Sequence, residues 1–234
     1  MSARFGVVVF PGSNCEQDVV YALRFLGYDA AYIWHQDIDL SAYDALVLPG
    51  GFSHGDYLRC GAIARFAPAM EAVRRFAELG GPVIGICNGF QILTEAQLLP
   101  GALLRNRGLK FICETVPLRV ELSVCQWLDL PAGAVVRIPI NHNEGNYVCD
   151  PETLAGMEVR GQIVLRYCEP DGSRAPEGSA PNGALDDIAG ICNESGTVFG
   201  LMPHPERVVD GIAGLTDGAA FFAAIARRIE EMVA

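Results

Sequence analysis

The chain has 234 residues, 50% hydrophobic and 19% charged, with 26 Gly and 14 Pro, which excludes a collagen, a charged disordered tail and a short stapled peptide. Its 17 basic and 28 acidic side chains give a formal charge of -11, a field that repels phosphate backbones and anionic bilayers, so no nucleic acid and no membrane is expected as a partner. The apolar runs are far shorter than the roughly 20 residues that span a bilayer as a helix. The 8 cysteines include no CxxC pair, and the first residues lack a secretion signal, so a reducing, cytoplasmic setting is expected. One domain over 1–234 accommodates this length.

In chain order, Arg4 to Phe10 is rich in valine and stops at Pro11-Gly12-Ser13-Asn14, the pattern of a buried strand followed by a turn. Val19, Leu23 and Leu26 then recur at helical spacing between Cys15 and Leu26, and Gly27 supplies the stop. Ala30 to Trp34 and Tyr43 to Leu48 read as strands, the second leading into Pro49-Gly50-Gly51. A helix is expected from Ala62 to Leu79, with Ile63, Phe66, Met70, Val73 and Phe76 on its apolar face and Gly80-Gly81-Pro82 as its stop. Val83 to Ile86 is the next strand, and Asn88 to Leu98 the next helix. This alternation predicts an α/β fold, a central mostly parallel sheet flanked by helices on both faces.

Phe111 to Glu121, Val135 to Ile138 and Gln162 to Tyr167 have strand character, with Pro117, Pro131 and Pro139 marking bends or edges. Glu169 to Gly183 is rich in Gly, Pro and charge and reads as an exposed loop. Ile188 to Cys192 and Val198 to Met202 resume the strand pattern. Asp217 to Met232 follows as an amphipathic helix with Phe221, Ile225, Ile229 and Met232 inward.

Cys87 lies between an apolar strand and a helix, in Val83-Ile-Gly-Ile-Cys-Asn-Gly-Phe-Gln91. Gly85 and Gly89 leave room for a tight turn there, and a helix amino end lowers a thiol pKa and directs backbone donors at negative charge. A packed structural cysteine is the ordinary explanation of a single thiol; the turn chemistry favours a nucleophile, on an elbow without the serine signature. Such a thiol needs a proton acceptor. His204, in Leu-Met-Pro-His-Pro-Glu at a strand end, can serve, with Glu206 orienting its imidazole across Pro205. Strand ends of one sheet bring such remote positions together. Gly50-Gly51-Phe52-Ser53 offers backbone donors, so the Gly51 and Asn88 amides are candidates to hold an oxyanion, beside the plainer role of a tight chain reversal.

Four segments, Phe10-Pro-Gly-Ser-Asn-Cys-Glu16, Leu48-Pro-Gly-Gly-Phe-Ser-His-Gly-Asp-Tyr-Leu-Arg-Cys-Gly-Ala-Ile-Ala64, Gly85-Ile-Cys-Asn-Gly-Phe-Gln91 and Gly200-Leu-Met-Pro-His-Pro-Glu-Arg207, follow one another across almost the full chain. Together they resemble the class I glutamine amidotransferases, specifically the glutaminase subunits of phosphoribosylformylglycinamidine synthase. The resemblance implies Cys87, His204 and Glu206 as a catalytic triad, Gly51 and Asn88 as the oxyanion segment, and Gln91 beside bound glutamine. It further implies hydrolysis of glutamine to glutamate, with ammonia passed to a larger ATP-dependent synthetase subunit. That partner would convert formylglycinamide ribonucleotide to formylglycinamidine ribonucleotide in purine biosynthesis, with a small bridging subunit as a further member of the complex. ATP and Mg are then expected in the partner, with no cofactor or metal in this subunit. Two departures stand out: His54 where many relatives carry tyrosine, and Asn141-His-Asn-Glu-Gly145 in place of Ala-His-Gly-Glu-Gly.

The stretch from Pro139 to Tyr147 concentrates polar groups, and the resemblance sets it at the border of the glutamine site. His142 is a candidate contact to substrate or partner, not a catalytic group, and stabilisation of a turn is an equal use of these side chains. His54, Asp56 and Arg59 read as loop or interface residues, and Cys15 as a neighbour of the cleft. No compact set of thiols starts a zinc site, Gly12 completes no dinucleotide fingerprint, and Pro49-Gly50-Gly51 lacks the ending of a phosphate loop. Two other functions compete: a cysteine hydrolase acting on a different amide, and a non-enzymatic scaffolding subunit.

Overall fold

The computed structural model describes residues 3–174, 176 and 178–233. The strands are β1 (Arg4–Val9), β2 (Asp29–Trp34), β3 (Ala45–Leu48), β4 (Val83–Ile86), β5 (Ala102–Leu104), β6 (Ile112–Val120), β7 (Val135–His142), β8 (Asn146–Val148), β9 (Ile163–Tyr167), β10 (Ile188–Cys192) and β11 (Val198–Leu201). The α-helices are α1 (Glu16–Phe25), α2 (Pro68–Glu78), α3 (Asn88–Glu95), α4 (Pro151–Val159) and α5 (Ala219–Val233). Nine strands form one sheet in the order β2-β1-β3-β4-β11-β10-β9-β6-β7, while β5 and β8 pair separately. Neighbours from β2 to β11 are parallel, and the four pairings from β11 to β7 are antiparallel. Followed across the sheet, these pairings leave β10 and β6 running against all the others. Every residue of β3, β4 and β11 is buried, as strands covered on both faces require.

Several local features depart from the sequence-based expectations. The helix expected from Ala62 to Leu79 is broken: a 3-10 turn covers Ala64–Phe66, Ala67 is extended at ψ 143°, and α2 starts with Pro68 at its first position. Proline forces the preceding residue out of the helical region and then suits the first turn of a new helix. The bend turns Phe66 outward, 73% exposed, with the Arg65 guanidinium over its ring at 4.4 Å, while Met70 and Val73 stay in the core.

The strand expected to end at Ile138 runs through Pro139 to His142. β7 is an edge strand, where a residue lacking an amide hydrogen can face the open side. The Pro139 carbonyl on that side accepts the His204 N–H at 2.8 Å. The segment 169–183 is not simply an exposed loop, because Ala180 and Asn182 turn back into the core. Asp217 stands outside α5 and accepts the Arg137 N–H at 2.7 Å, whereas Phe221, Ile225 and Ile229 are buried as expected. The side chain of Met232 lies outside the described residues.

Candidate active site

Open α/β sheets place ligands beyond the carboxyl ends of their strands. Here the residues following β1, β3, β4 and β11, together with the end of β7, meet around one cavity of about 260 Å³. Its lining includes Cys15, Gly51, Cys87, Gln91, His142 and His204.

Cys87 joins β4 to α3 with φ 52° and ψ −104°, a conformation whose cost for a residue with a Cβ is about 1–3 kcal/mol. Its N–H donates to the Leu201 carbonyl at 2.8 Å, extending the pairing with β11 to the thiol residue itself. The following helix lies tight against the strands because position 89 is glycine. A Cβ there would sit 1.9 Å from the Leu48 carbonyl oxygen, and one at Gly85 would sit 2.6 Å from the Gly89 backbone. The spacing of Gly85, Cys87 and Gly89 thus serves close approach of helix to sheet and projects the sulfur over the strand ends.

His204 and Glu206 are 1% and 2% exposed, and His204 Nδ1 donates to Glu206 Oε1 at 2.7 Å. Burial pushes the imidazolium down in pKa. The Glu206 carboxylate and the sulfurs of Cys87 and Cys15 outweigh that effect and hold it well above the usual histidine range. Nε2 has no hydrogen-bond partner, although the ring interacts with both sulfurs. Gly50 makes the space, since a Cβ there would lie 2.8 Å from His204 Cε1 and 3.1 Å from Cys15 Sγ. Arg207 donates to Cys15 Sγ at 3.3 Å and pairs with Asp18 at 3.4 Å. Cys15, His204 and Glu206 bring three metal-ligating atoms within 4.8 Å of one another. In that group the histidine and carboxylate are bonded to each other, and a guanidinium already contacts the thiol.

Gly51 borders the cavity, while Asn88 is 1% exposed and opens α3. The first amides of a helix have no acceptor within it, which leaves the Asn88 N–H without an intrahelical bond. The Asn88 side chain accepts from Ser53 N at 3.2 Å and donates to Gln91 Oε1 at 2.8 Å. Gln91 Nε2 in turn donates to the Glu144 carbonyl at 2.6 Å. The Gln91 amide therefore ties α3 to the segment after β7, with both of its ends engaged inside the protein. His142 is 3% exposed, and burial, reinforced by the His204 charge, pushes its pKa down to about 3.

Asn182, invisible to sequence reasoning as a site residue, lies 3.2 Å from His142 Nε2 and donates to the Gly145 carbonyl at 2.8 Å. Its Pro181-Asn182-Gly183 context signals a turn, and nothing in that pattern signals burial. Arg207 and Glu144 were also missed, although each adjoins a residue that the sequence singles out. His54 packs edge-on against His35 with ring centroids 5.8 Å apart. Arg59 pairs with Glu95 on the surface.

Residues 2–216 match the model of the CobB/CobQ-like glutamine amidotransferase domain. The chain is 55% identical over 221 residues to the phosphoribosylformylglycinamidine synthase subunit PurQ of Acaryochloris marina, covering 94% of each chain. This chain belongs to the PurQ family of glutamine amidotransferases. The PurQ relative from Moorella thermoacetica is 56% identical over 224 residues, covering 95% of this chain and 94% of that one. The solved structure of PurLQS from Thermotoga maritima contains a chain that superposes with a TM-score of 0.86 at 42% identity, covering 98% of this chain and 100% of its own length. That likeness extends the PurQ assignment from sequence to the whole α/β fold.

Proposed function

We propose that this chain is the glutaminase subunit of a cytoplasmic phosphoribosylformylglycinamidine synthase. It hydrolyses glutamine to glutamate and passes ammonia to a larger, ATP-dependent synthetase subunit, which converts formylglycinamide ribonucleotide to formylglycinamidine ribonucleotide. The observation that carries this reading is Cys87 on a strained elbow, lining one cavity with the buried His204–Glu206 pair. Close likeness to PurQ subunits over nearly the full chain supports the specific substrate and partner. Among the described residues no helix is long and apolar enough to cross a membrane.

In this mechanism the Cys87 thiolate attacks the side-chain amide carbon of glutamine. The new C–S bond pushes the carbonyl electrons onto oxygen, where the Gly51 and Asn88 amides stabilise them; one such donor is worth roughly 10²–10³ in rate. The His204 imidazolium gives its proton to the amide nitrogen, the C–N bond breaks, and ammonia leaves behind a γ-glutamyl thioester. Neutral His204 then takes a proton from water as the oxygen of that water adds to the thioester carbon. Cleavage of the C–S bond releases glutamate and restores thiolate and imidazolium. Glu206 keeps the ring oriented throughout. ATP and Mg act in the partner, and a small bridging subunit can complete the complex.

The test is the reconstituted complex carrying Cys87→Ser. Glutamine-dependent product formation is expected to fall at least about 10⁴-fold, with synthesis from added ammonium preserved. Wild type should show a γ-glutamyl adduct on Cys87 by mass spectrometry. Glutamine-dependent turnover at the wild-type rate in the variant would refute the thiol mechanism.

A further inference from the structure

The cavity has acidic groups that the reaction above does not use. Asp56 and Glu144 both line it, and among the described residues no lysine or arginine does. Asp56 Oδ1 is buried without a hydrogen-bond partner, and the residue is held at φ 53°, a left-handed conformation that costs a non-glycine residue about 1 kcal/mol. The Glu144 carboxylate accepts a bond at 2.7 Å from the Cys60 thiol, a weak donor. Burial, with the neighbouring Glu144 charge behind it, holds the Asp56 carboxyl above its usual range.

An independent observation on the same cavity also points to a missing ligand. His142 is 97% buried by its 3% exposure, lines the cavity, and leaves Nδ1 without a partner. The orientation of the Asn182 amide is fixed, because Oδ1 accepts from Ala184 N at 3.1 Å and Nδ2 donates to the Gly145 carbonyl. Nδ2 also donates to the Tyr167 hydroxyl at 3.0 Å and lies 3.2 Å from His142 Nε2, so Nδ1 is the ring nitrogen left without a protein partner. Two carboxylates and one buried, unpartnered imidazole nitrogen thus line one cavity, a set that suits a molecule bringing a cationic group together with a further polar group.

We propose that Asp56 and Glu144 are specificity-determining residues that bind the α-ammonium group of free glutamine. The inference deepens the glutaminase reading and rests on it. Glutamine is the amide substrate that carries such a cation at the far end from its reacting carbon, and a site with two carboxylates and no lysine or arginine in its described lining selects for it. Amides of the same length without the amino group would bring no cation to the two carboxylates on binding, which is the kind of mismatch that discriminates strongly.

The experiment compares L-glutamine with 4-carbamoylbutanoate, which lacks only the α-amino group. The enzyme is the complex with its synthetase partner, as wild type, Asp56→Asn and Glu144→Gln. Wild type is expected to prefer glutamine by about 100-fold or more in kcat/KM. Each substitution should raise KM for glutamine about 10- to 100-fold with little change in kcat, as loss of uniform binding requires. KM for 4-carbamoylbutanoate should hardly move, so the preference collapses. Retention of the full preference in both variants, or an equal loss on both substrates, would overturn the proposal. Ammonium-supported synthesis reports folding and assembly of each variant. A Cys87 adduct formed by wild type with both compounds at similar efficiency would leave the glutaminase reading standing and end this one; absence of any adduct would end the glutaminase reading itself.

Discussion

At the amino ends of β4 and β11 the Thr197 carbonyl accepts from Val83 N at 3.0 Å and Trp127 Nε1 at 2.8 Å, and Asn193 Oδ1 accepts from Val198 N at 3.0 Å. At the carboxyl ends of the same strands Glu206 Oε2 and, across the cavity, His142 Nδ1 are buried with no hydrogen-bond partner, and the His204 ring has only the sulfurs of Cys87 and Cys15 to serve its Nε2 side. Both ends belong to one sheet, and Thr197 and Trp127 are buried like the groups around the cavity, so burial alone does not explain the contrast. A buried group without a partner costs about 1–3 kcal/mol, and the elbow at Cys87 adds strain of similar size. Costs of this kind concentrate where a ligand supplies the missing bonds. Other orphaned atoms, on Glu121, Arg166 and Asp187, lie in a network of ion pairs with Arg174 and Asp186, so their charges are met by neighbours.

Glu206→Gln breaks this contrast most severely, because it keeps the shape of the side chain while removing the charge that lifts His204. In wild type burial lowers the imidazolium pKa, and Glu206, ahead of Cys87 and Cys15, raises it well above the usual value. Without the carboxylate the pKa falls. The rate constant kcat for glutamine hydrolysis is expected to drop about 10³- to 10⁴-fold. The alkaline limb of the pH–rate profile should move to lower pH, since the proton needed by the leaving nitrogen is lost earlier. The same raised pKa contributes folding stability that is fully present below about pH 6.5 and is lost as pH rises through the folded value. A pH–rate profile of the assembled complex decides the matter: an alkaline limb unmoved by the substitution would mean that Glu206 does not govern the charge of His204.

How much of this was legible in the sequence divides along the same line. The strands that position Cys87 and His204 are short valine- and isoleucine-rich runs ended by Gly or Pro, and their pattern states burial on both faces directly. The three-residue strands β5 and β8 are too short to show any period. α4 has only Met157 buried, so it carries no apolar stripe; its start was nevertheless signalled by Asp150, which caps Thr153 N at 2.8 Å, and by Pro151 at the first helical position. Pro68 likewise announced the break that an apolar periodicity across Ala62 to Leu79 concealed. The His142–Asn182 contact was not legible, because it depends on a long segment folding back onto the edge of β7. No local pattern encodes that return.

A smaller test sharpens the contrast on the opposite wall of the cavity. His142 stays neutral in the folded chain down to about pH 3, held there first by burial and then by the His204 charge. An unfolded histidine takes up a proton near pH 6.5. Between these values the unfolded chain binds the extra proton, so this residue makes stability fall as pH falls. His142→Gln removes the titration and should flatten that slope, making the loss of stability between pH 6.5 and pH 4 smaller than in wild type by about 3 kcal/mol. Urea unfolding across this range reads the difference. Equal slopes in the two proteins would show that His142 gains its proton without unfolding.

The smallest effect belongs to the satisfied end. Trp127 is fully buried, and its indole N–H reaches the Thr197 carbonyl, which keeps its bond from Val83 N when the indole is removed. Trp127→Phe therefore loses one hydrogen bond and some packed volume without stranding an acceptor, a change expected to cost about 1–3 kcal/mol of stability. Because that contact lies at the amino end of β11, the geometry around Cys87 should not register it, and KM for glutamine and kcat of the complex should stay within about twofold of wild type. Thermal unfolding together with steady-state kinetics checks both halves. A large loss of turnover with intact folding would mean that the two ends of the sheet are mechanically coupled, and that the partnerless groups around the cavity depend on packing at the far end of their strands as well as on their own neighbours.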